Sequence, residues 1–184
     1  FYYGTEEDVL REGLFLELDT KIKEISDALT FEFSPILEGE VKHLTISADG
    51  IKEAFPIVID LVDKAPEHPH WEFIAFRQRV DTVDLSIQMG DVQLEVSDIY
   101  FRFAEVDDTL GIELNIRNFK NTDQEKLALF ILLDSLIGEY DVVTQIGWIE
   151  WVALDEDKTE ILSPFARLRD LVDKRKKMYQ NNES

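Results

Sequence analysis

The sequence predicts an α+β fold in which helices pack on one face of a largely antiparallel sheet. Segments with apolar residues at helical spacing are interspersed with short runs in which apolar and polar residues alternate. Four such runs, 83–89, 92–96, 98–104 and 110–117, follow one another directly, which is typical of an antiparallel meander with one wet face. No linker rich in Pro, Gly or Ser divides the chain, so we expect a single domain over 1–184.

The chain is expected to begin with a helix over residues 5–28. Thr5 is its candidate cap, and apolar residues at helical spacing follow. These residues are Val9, Leu10, Leu14, Leu18, Ile22 and Ile25. Strands are then expected at 29–37 and 41–48, joined by the turn Glu38-Gly39-Glu40.

A second helix is predicted over residues 53–65, with Pro56 in the first turn, where its missing N–H costs little. The next strand, 72–77, is apolar on both faces. That pattern is typical of a central strand, and we expect one here.

Beyond the meander, a helix is predicted over 122–139. Its middle is apolar nearly all round, so it is expected to be the most buried helix. A strand at 147–154 carries Trp148 and Trp151. A C-terminal helix over 163–179 starts with Ser163 as cap and Pro164 as first residue. Its apolar spacing includes one cation, in the series Leu168, Leu171, Val172 and Arg175.

The order of elements repeats. Residues 29–77 and residues 98–154 are both predicted to run strand, strand, helix, strand. This order favours a degenerate internal duplication of a ββαβ unit. The alternative is chance, since α+β chains often produce such orders.

Composition excludes several classes of protein. Hydrophobic residues make up 45% of the 184, too many for a disordered polar chain. Cysteine is absent, which excludes a disulfide scaffold, a thiol nucleophile and cysteine-ligated metal. No apolar run is long enough for a transmembrane helix. The lack of cysteine fits a cytoplasmic protein, although a chain that starts at Phe1 leaves a removed signal peptide open.

The charge is strongly acidic, with 39 Asp and Glu against 19 Lys and Arg and a formal net charge of -20. Such a charge disfavours nucleic acid and anionic membranes as partners, because both would be repelled. It favours encounter with a basic protein. A well-solvated acidic surface without a partner is the plainer interpretation.

Catalytic signatures are missing: the chain has no Gly-rich phosphate loop, no Gly-x-Ser-x-Gly and no His-Glu-x-x-His. The nearest approach to a metal site is Glu67-His68-Pro69-His70-Trp71-Glu72, in which His68 and His70 are weak candidate ligands. Exposed loop histidines are common, so we expect neither a metal nor another cofactor.

Three carboxylates are alternative acid or base groups for a hydrolase. Asp134 lies inside the most apolar helix, and Asp49 and Asp141 lie near helix ends. The structural alternatives are an Asp134 bonded to a backbone group or an arginine, and an Asp49 that caps a helix in a turn with Gly50.

The wet face of the meander is the candidate binding surface. If the strands pair in sequence, its polar side chains share one face. These are Asp84, Ser86, Gln88, Gln93, Glu95, Tyr100, Arg102, Asn115 and Arg117. We select Tyr100, Arg102, Asn115 and Arg117 as the binding residues; a face that simply meets water is the alternative.

Two stretches carry a resemblance. They are Leu-Thr-Ile-Ser-Ala-Asp-Gly (44–50), with Trp-Glu-Phe-Ile-Ala-Phe-Arg (71–77) downstream, and Ile-Leu-Leu-Asp-Ser-Leu-Ile-Gly-Glu-Tyr-Asp (131–141), followed by Ile-Gly-Trp-Ile-Glu (146–150). Together they resemble an uncharacterised family of bacterial proteins that share a domain of unknown function, over residues 10–175. The resemblance implies a bacterial, cytoplasmic protein. It implies no reaction, cofactor or catalytic residue.

The expected function is therefore a non-enzymatic, acidic protein-interaction or regulatory module, of an inhibitor or immunity type, with a basic partner. The alternatives are a carboxylate-dependent hydrolase and a structural homo-oligomer without a ligand.

Overall fold

The structure is a computed structural model, and it describes residues 6–34 and 41–182. The α-helices in these residues are α1 (Glu6–Ile25), α2 (Phe55–Asp63), α3 (Asp123–Ile137), α4 (Glu139–Gln145) and α5 (Arg167–Asn182). The strands are β1 (Thr30–Phe33), β2 (Lys42–Ser47), β3 (Trp71–Ala75), β4 (Ser86–Met89), β5 (Val92–Glu95), β6 (Ile99–Val106), β7 (Thr109–Ile116), β8 (Ile146–Ala153) and β9 (Ser163–Pro164). The expected cap Thr5 and the expected turn at 38–40 lie outside the described residues.

Helices and strands are mixed along the chain, and most strand pairs in the described residues are antiparallel, which confirms the α+β class. The backbone forms two compact units that divide between Phe76 and Arg77. The expectation of one domain over 1–184 stays a prediction. Within the described ranges, no helix combines the length and the apolar character that crossing a bilayer requires.

The first unit contains a three-stranded sheet in the order β1-β2-β3. β1 pairs antiparallel with β2, and β3 pairs parallel with β2 on its other side. The prediction that the strand at 72–77 is central is therefore wrong, because β2 is central and β3 is at the edge. The side chains of β3 are at most partly buried. An apolar run does not by itself distinguish a central strand from an edge strand.

Helix α1 is less buried than its apolar spacing predicts. Ile22 is buried, but Leu14 and Ile25 expose 67% and 51% of their surface. Only the C-terminal turns of the helix thus carry a buried apolar residue among the side chains the structure describes.

The second unit holds a four-stranded sheet in the order β8-β7-β6-β9, and β4 and β5 form a separate hairpin. The predicted four-strand meander is wrong at this point. A 3-10 turn at Val96–Asp98 separates β5 from β6, so the alternating pattern continues while the pairing does not. Only the β6–β7 pair of the meander is present in the larger sheet.

Both units contain the same ββαβ topology. In the first, the antiparallel pair β1–β2 is followed by α2 and by β3, which runs parallel to β2. In the second, the antiparallel pair β6–β7 is followed by α3 and α4 and by β8, which runs parallel to β7. The predicted repetition of the element order is confirmed, including the sense of each pairing. A common origin of the two units stays a prediction.

Helix α3 packs against the larger sheet in one hydrophobic cluster. Its N-terminus has a capping box, in which Thr122 and Glu125 bond each other's backbone N–H. The buried sheet side chains of this cluster are Ile99, Phe101, Leu110, Ile112, Leu114 and Ile116, and those of the helix are Ala128, Leu129, Leu132, Leu133, Leu136 and Ile137. Burial is one-sided, however, because Leu127, Phe130 and Ile131 are exposed. Among the described residues of its own unit, this second apolar face of α3 is only partly covered: the ring of Phe130 contacts that of Trp151, with 5.3 Å between the ring centroids.

The C-terminal helix starts later than predicted. Ser163 and Pro164 form β9, which pairs with Phe101 and Tyr100 of β6. Proline is tolerated in an edge strand as it is in a first helical turn, so its position suits both structures. Phe165 is fully buried, and its N–H bonds the carbonyl of Ile99. This anchor delays the helix to Arg167.

Candidate functional site

The outer face of the larger sheet lies opposite the helix-packed side. Strand register places nine residues on it, three from each of β6, β7 and β8. They are Tyr100, Arg102, Ala104, Gly111, Glu113, Asn115, Trp148, Glu150 and Val152. Arg102 and Trp148 are the more open side chains, with 66% and 44% of their surface exposed. In the described part of the second unit, no helix packs on this face, and its role as a binding surface stays a prediction.

Trp148 lies flat across the middle strand. Trp148 on β8 is the register partner of Gly111 on β7. A Cβ placed on Gly111 would overlap the indole at Cε2, Cζ2 and Nε1. Glycine at position 111 therefore makes room for the indole, which remains on the surface instead of entering the core. An aromatic side chain held in this way presents a large contact area at little further entropic cost.

Two of the predicted binding residues converge on Glu113. The guanidinium of Arg102 forms an ion pair with Glu113 across the β6–β7 pair, and the Asn115 amide donates to the same carboxylate at 3.0 Å. The hydrogen bond from Arg102 is the main effect that lowers the pKa of Glu113, and the Asn115 bond adds to it. Asn115 is itself buried, so its role in this group is to hold Glu113.

Arg117 lies just beyond the end of β7, where it connects three parts of the second unit. It donates to both carboxylate oxygens of Glu156 at 2.7 and 3.1 Å, and to Asp98 at 2.8 Å. Its hydrogen bonds lower the pKa of Glu156. Arg117 therefore fastens the 3-10 helix Glu156–Ile161 beside the sheet and is already saturated with carboxylates. Tyr100, the fourth predicted residue, lies on the outer face opposite Asn115.

Glu150 is the unbalanced charge on the outer face. It is the register partner of Glu113 on the neighbouring strand, and it is exposed. It makes no hydrogen bond or ion pair to any residue in the described part of the chain, although Arg102 is close enough to act on it electrostatically. Like charges at directly opposed positions destabilise a sheet. Arg102 balances the charge of Glu113 but not that of Glu150 as well, so a second cation at this place would be stabilising.

The three alternative acid or base residues are distributed over both units. Asp49 lies in the first unit, in a turn with positive φ, and accepts a hydrogen bond from Thr30 at 3.4 Å. It does not cap a helix: the 3-10 helix after it begins beyond Ile51, which has no side-chain cap, so that prediction is wrong.

Asp134 and Asp141 lie in the second unit, and each faces a cation. Asp134 is 3.7 Å from the guanidinium of Arg77, as the structural alternative predicts. Asp141 accepts two bonds from Lys176 at 2.7 and 2.8 Å, and it lines an open cleft of about 330 Å³. Asp134 does not line that cleft.

The two candidate histidine ligands are neighbours on the surface. The ring centroids of His68 and His70 are 5.9 Å apart, and the backbone N–H of His70 donates to Nδ1 of His68. Throughout residues 6–34 and 41–182, no group of three or more His, Asp or Glu side chains is arranged to hold a metal ion.

Trp148 and Glu150 belong to the outer face but were not among the residues predicted for it. The signal was present, because alternation along 147–154 puts Trp148, Glu150 and Val152 on one side of that strand. The prediction that Ser86, Gln88, Gln93 and Glu95 share this face is wrong, because these residues are on the separate β4–β5 hairpin.

Comparisons with known proteins return nothing: no family model, no curated protein and no solved structure matches the chain. This result is consistent with the resemblance to a family without an assigned activity.

Proposed function

We propose that this chain is a non-enzymatic, acidic interaction module that binds a basic segment of a protein partner on the outer face of the larger sheet. The observation that carries the proposal is the carboxylate of Glu150, which has no hydrogen-bond or ion-pair partner among the described residues. It lies beside Glu113 and two residues along the same strand face from the exposed indole of Trp148.

These groups have the chemistry to bind a lysine or arginine side chain. A cation over the indole of Trp148 gains a cation–π interaction. The same cation, or its neighbour in the partner, relieves the repulsion between Glu113 and Glu150. Tryptophan and tyrosine are also enriched among the residues that dominate binding energy, and Tyr100 lies on the same face.

Long-range charge supports the same partner. A chain with a formal charge of -20 attracts basic proteins and accelerates their encounter. The acidic 3-10 helix Glu156–Ile161, which Arg117 holds beside the sheet, extends this field next to the outer face. We place the module in the bacterial cytoplasm, as the resemblance implies.

The cations around Asp134 and Asp141 also favour binding over hydrolysis. The Asp134 carboxylate lies beside Arg77 and the Asp141 carboxylate is bound by Lys176, so both already have a structural partner, whereas a general acid at neutral pH needs surroundings that favour its protonated form.

The test is a fluorescence-anisotropy titration of a labelled oligo-arginine peptide with the full chain. Glu150→Gln and Trp148→Ala should each weaken binding about fivefold or more, since the first loses an ion pair with the peptide and the second a cation–π contact. Glu53→Gln is the matched control: it removes one exposed carboxylate from the first unit and should change affinity by less than about twofold. Equal weakening by Glu150→Gln and Glu53→Gln would show that the peptide senses only net charge and would refute the proposed site.

A further inference from the structure

A groove on the second unit, away from the outer face, combines apolar walls with a buried cation. It has a volume of about 400 Å³ and lies between the end of β6 and the C-terminal half of α5. Phe103 and Leu171 provide apolar walls, together with Met178 and the ring of Tyr179. Concave sites of this size, mostly apolar with a few polar groups, are typical of small-molecule binding.

Arg175 is the polar group of this groove. Its residue exposure is 4%, yet none of its three guanidinium nitrogens makes a hydrogen bond within the described part of the chain. A buried guanidinium with five unused donor hydrogens is costly, because the water that once solvated it is not replaced. The helix nevertheless places this arginine on its buried side, in sequence with Leu168 and Val172.

Two surface side chains close over the guanidinium. The ring of Tyr179 lies 4.5 Å from its Cζ, and the carboxylate of Glu105 lies 3.3 Å from Nη1 without hydrogen-bond geometry. Both are exposed, Tyr179 by 43% and Glu105 by 56%, so they can turn outward without disturbing the core. The space beside the Arg175 guanidinium therefore already accommodates a carboxylate, that of Glu105, and a ligand carboxylate can replace it when the Glu105 side chain rotates into solvent.

We propose that the groove is a binding site for a small organic carboxylate with an apolar body, such as a medium-chain fatty acid. The ligand's carboxylate replaces that of Glu105 and forms two parallel hydrogen bonds with the planar guanidinium of Arg175. Its apolar body lies against Phe103, Leu171 and Met178, and Lys174 at the rim adds a second positive charge. A monoanion is favoured over a phosphate because the chain carries a formal charge of -20, which opposes each additional negative charge.

Calorimetric titration of the full chain with octanoate, octanol and octyl phosphate tests the proposal. Octanoate should bind saturably. Octanol, which has the same chain without the carboxylate, should bind about tenfold more weakly or not at all, because it cannot satisfy the guanidinium. Absence of octanoate binding, equal binding of octanol, or tighter binding of octyl phosphate would overturn the proposed ligand class.

Variants locate the site. Glu105→Gln removes the competing carboxylate and should tighten octanoate binding about threefold, whereas Glu160→Gln, an exposed glutamate on the 3-10 helix 156–161, should leave it unchanged. Arg175→Lys keeps the charge but lacks the planar fork, and should weaken binding about tenfold. If Arg175→Lys fails to fold, Glu105→Gln decides on its own: an unchanged affinity in that variant would contradict the assignment.

Discussion

The indole of Trp148 on β8 occupies the space that a Cβ on Gly111 of β7 would need. The two residues are register partners, so the glycine and the exposed aromatic side chain form one structural unit. We therefore predict that Gly111→Ala forces Trp148 off the sheet and lowers the free energy of unfolding by about 1–3 kcal/mol, as overpacking does. Chemical denaturation measures this loss, and the fluorescence emission of Trp148, assigned with Trp148→Phe, should shift in the same variant.

The control for this prediction is Gly13→Ala. Gly13 lies in α1, and a Cβ there meets nothing within 4 Å. Alanine in an exposed helical position should stabilise the chain by about 0.5–1 kcal/mol. If Gly111→Ala is tolerated as well as Gly13→Ala, the indole does not depend on the glycine.

Glu150 should be dispensable for stability. Because it faces Glu113 in register and forms no ion pair with a described residue, Glu150→Gln should leave the free energy of unfolding unchanged or raise it by up to about 0.5 kcal/mol. Arg102→Gln should lower it only slightly: the variant loses the ion pair with Glu113, but the Arg102 side chain is 66% exposed and solvent screens that pair. The double variant should show a smaller loss for Arg102→Gln, which a double-mutant cycle measures. A clear decrease in the free energy of unfolding of the Glu150→Gln variant would mean that a group of the chain itself binds Glu150.

Stability should decrease in acid through Glu125 and Glu113. Burial raises the pKa of Glu125, but hydrogen bonds from the backbone of Thr122 and Lys120 and from the Thr122 hydroxyl outweigh burial and lower it below its ordinary 4.5. A carboxyl whose pKa is lower in the folded state stabilises the fold above the unfolded value, and this contribution is lost as pH falls through the folded pKa.

The free energy of unfolding should therefore drop as the pH is taken below about 4.5, and Glu125→Gln should flatten that drop. Denaturation curves collected between about pH 6 and pH 3 provide the measurement. Glu160→Gln is again the control, and its curve should parallel that of the unmodified chain. A Glu125→Gln variant with an equally steep decrease would contradict the role assigned to the capping box.

Arg169 should hold the segment that enters the second unit. Its guanidinium donates to the carbonyls of Leu136, Val80, Asp81 and Thr82, at distances from 2.7 to 3.2 Å. Arg169→Lys can satisfy only part of this set, and should lower stability by about 2 kcal/mol and speed hydrogen exchange around residues 78–85. Arg167→Lys is the control. Arg167 is exposed, and its ion-pair partner among the described residues is Asp170, so this variant should change neither the stability nor the hydrogen exchange.

Element types were largely predictable from the sequence because their periodicities are strong. The alternation in β6 and β7 and the repeated ββαβ order both follow from residue spacing. Pairing was not predictable to the same degree. The alternation of apolar and polar residues in a strand is the same whichever strand pairs with it, so it does not tell β5 from β8 as a neighbour. The turn at Val96–Asp98, which separates β5 from β6, also leaves this alternation unbroken.

The site was only partly predictable for the same reason. Tyr100, Arg102 and Asn115 share the outer face as predicted, because β6 and β7 pair in sequence. Trp148 and Glu150 join them through a parallel pairing across α3 and α4, which period-2 alternation does not specify. Arg175 was visible as a cation in an apolar helical stripe, but its unpaired nitrogens depend on what β6 places opposite it.

The most direct test of the outer face as the binding surface is an NMR titration of the full, ¹⁵N-labelled chain with the oligo-arginine peptide. We expect the largest amide and indole shift changes at residues 100–104, 111–115 and 148–152, and we expect them to need about fivefold more peptide, or more, in Glu150→Gln. Changes centred on the exposed acids of α2, or spread evenly over the acidic surface, would contradict it.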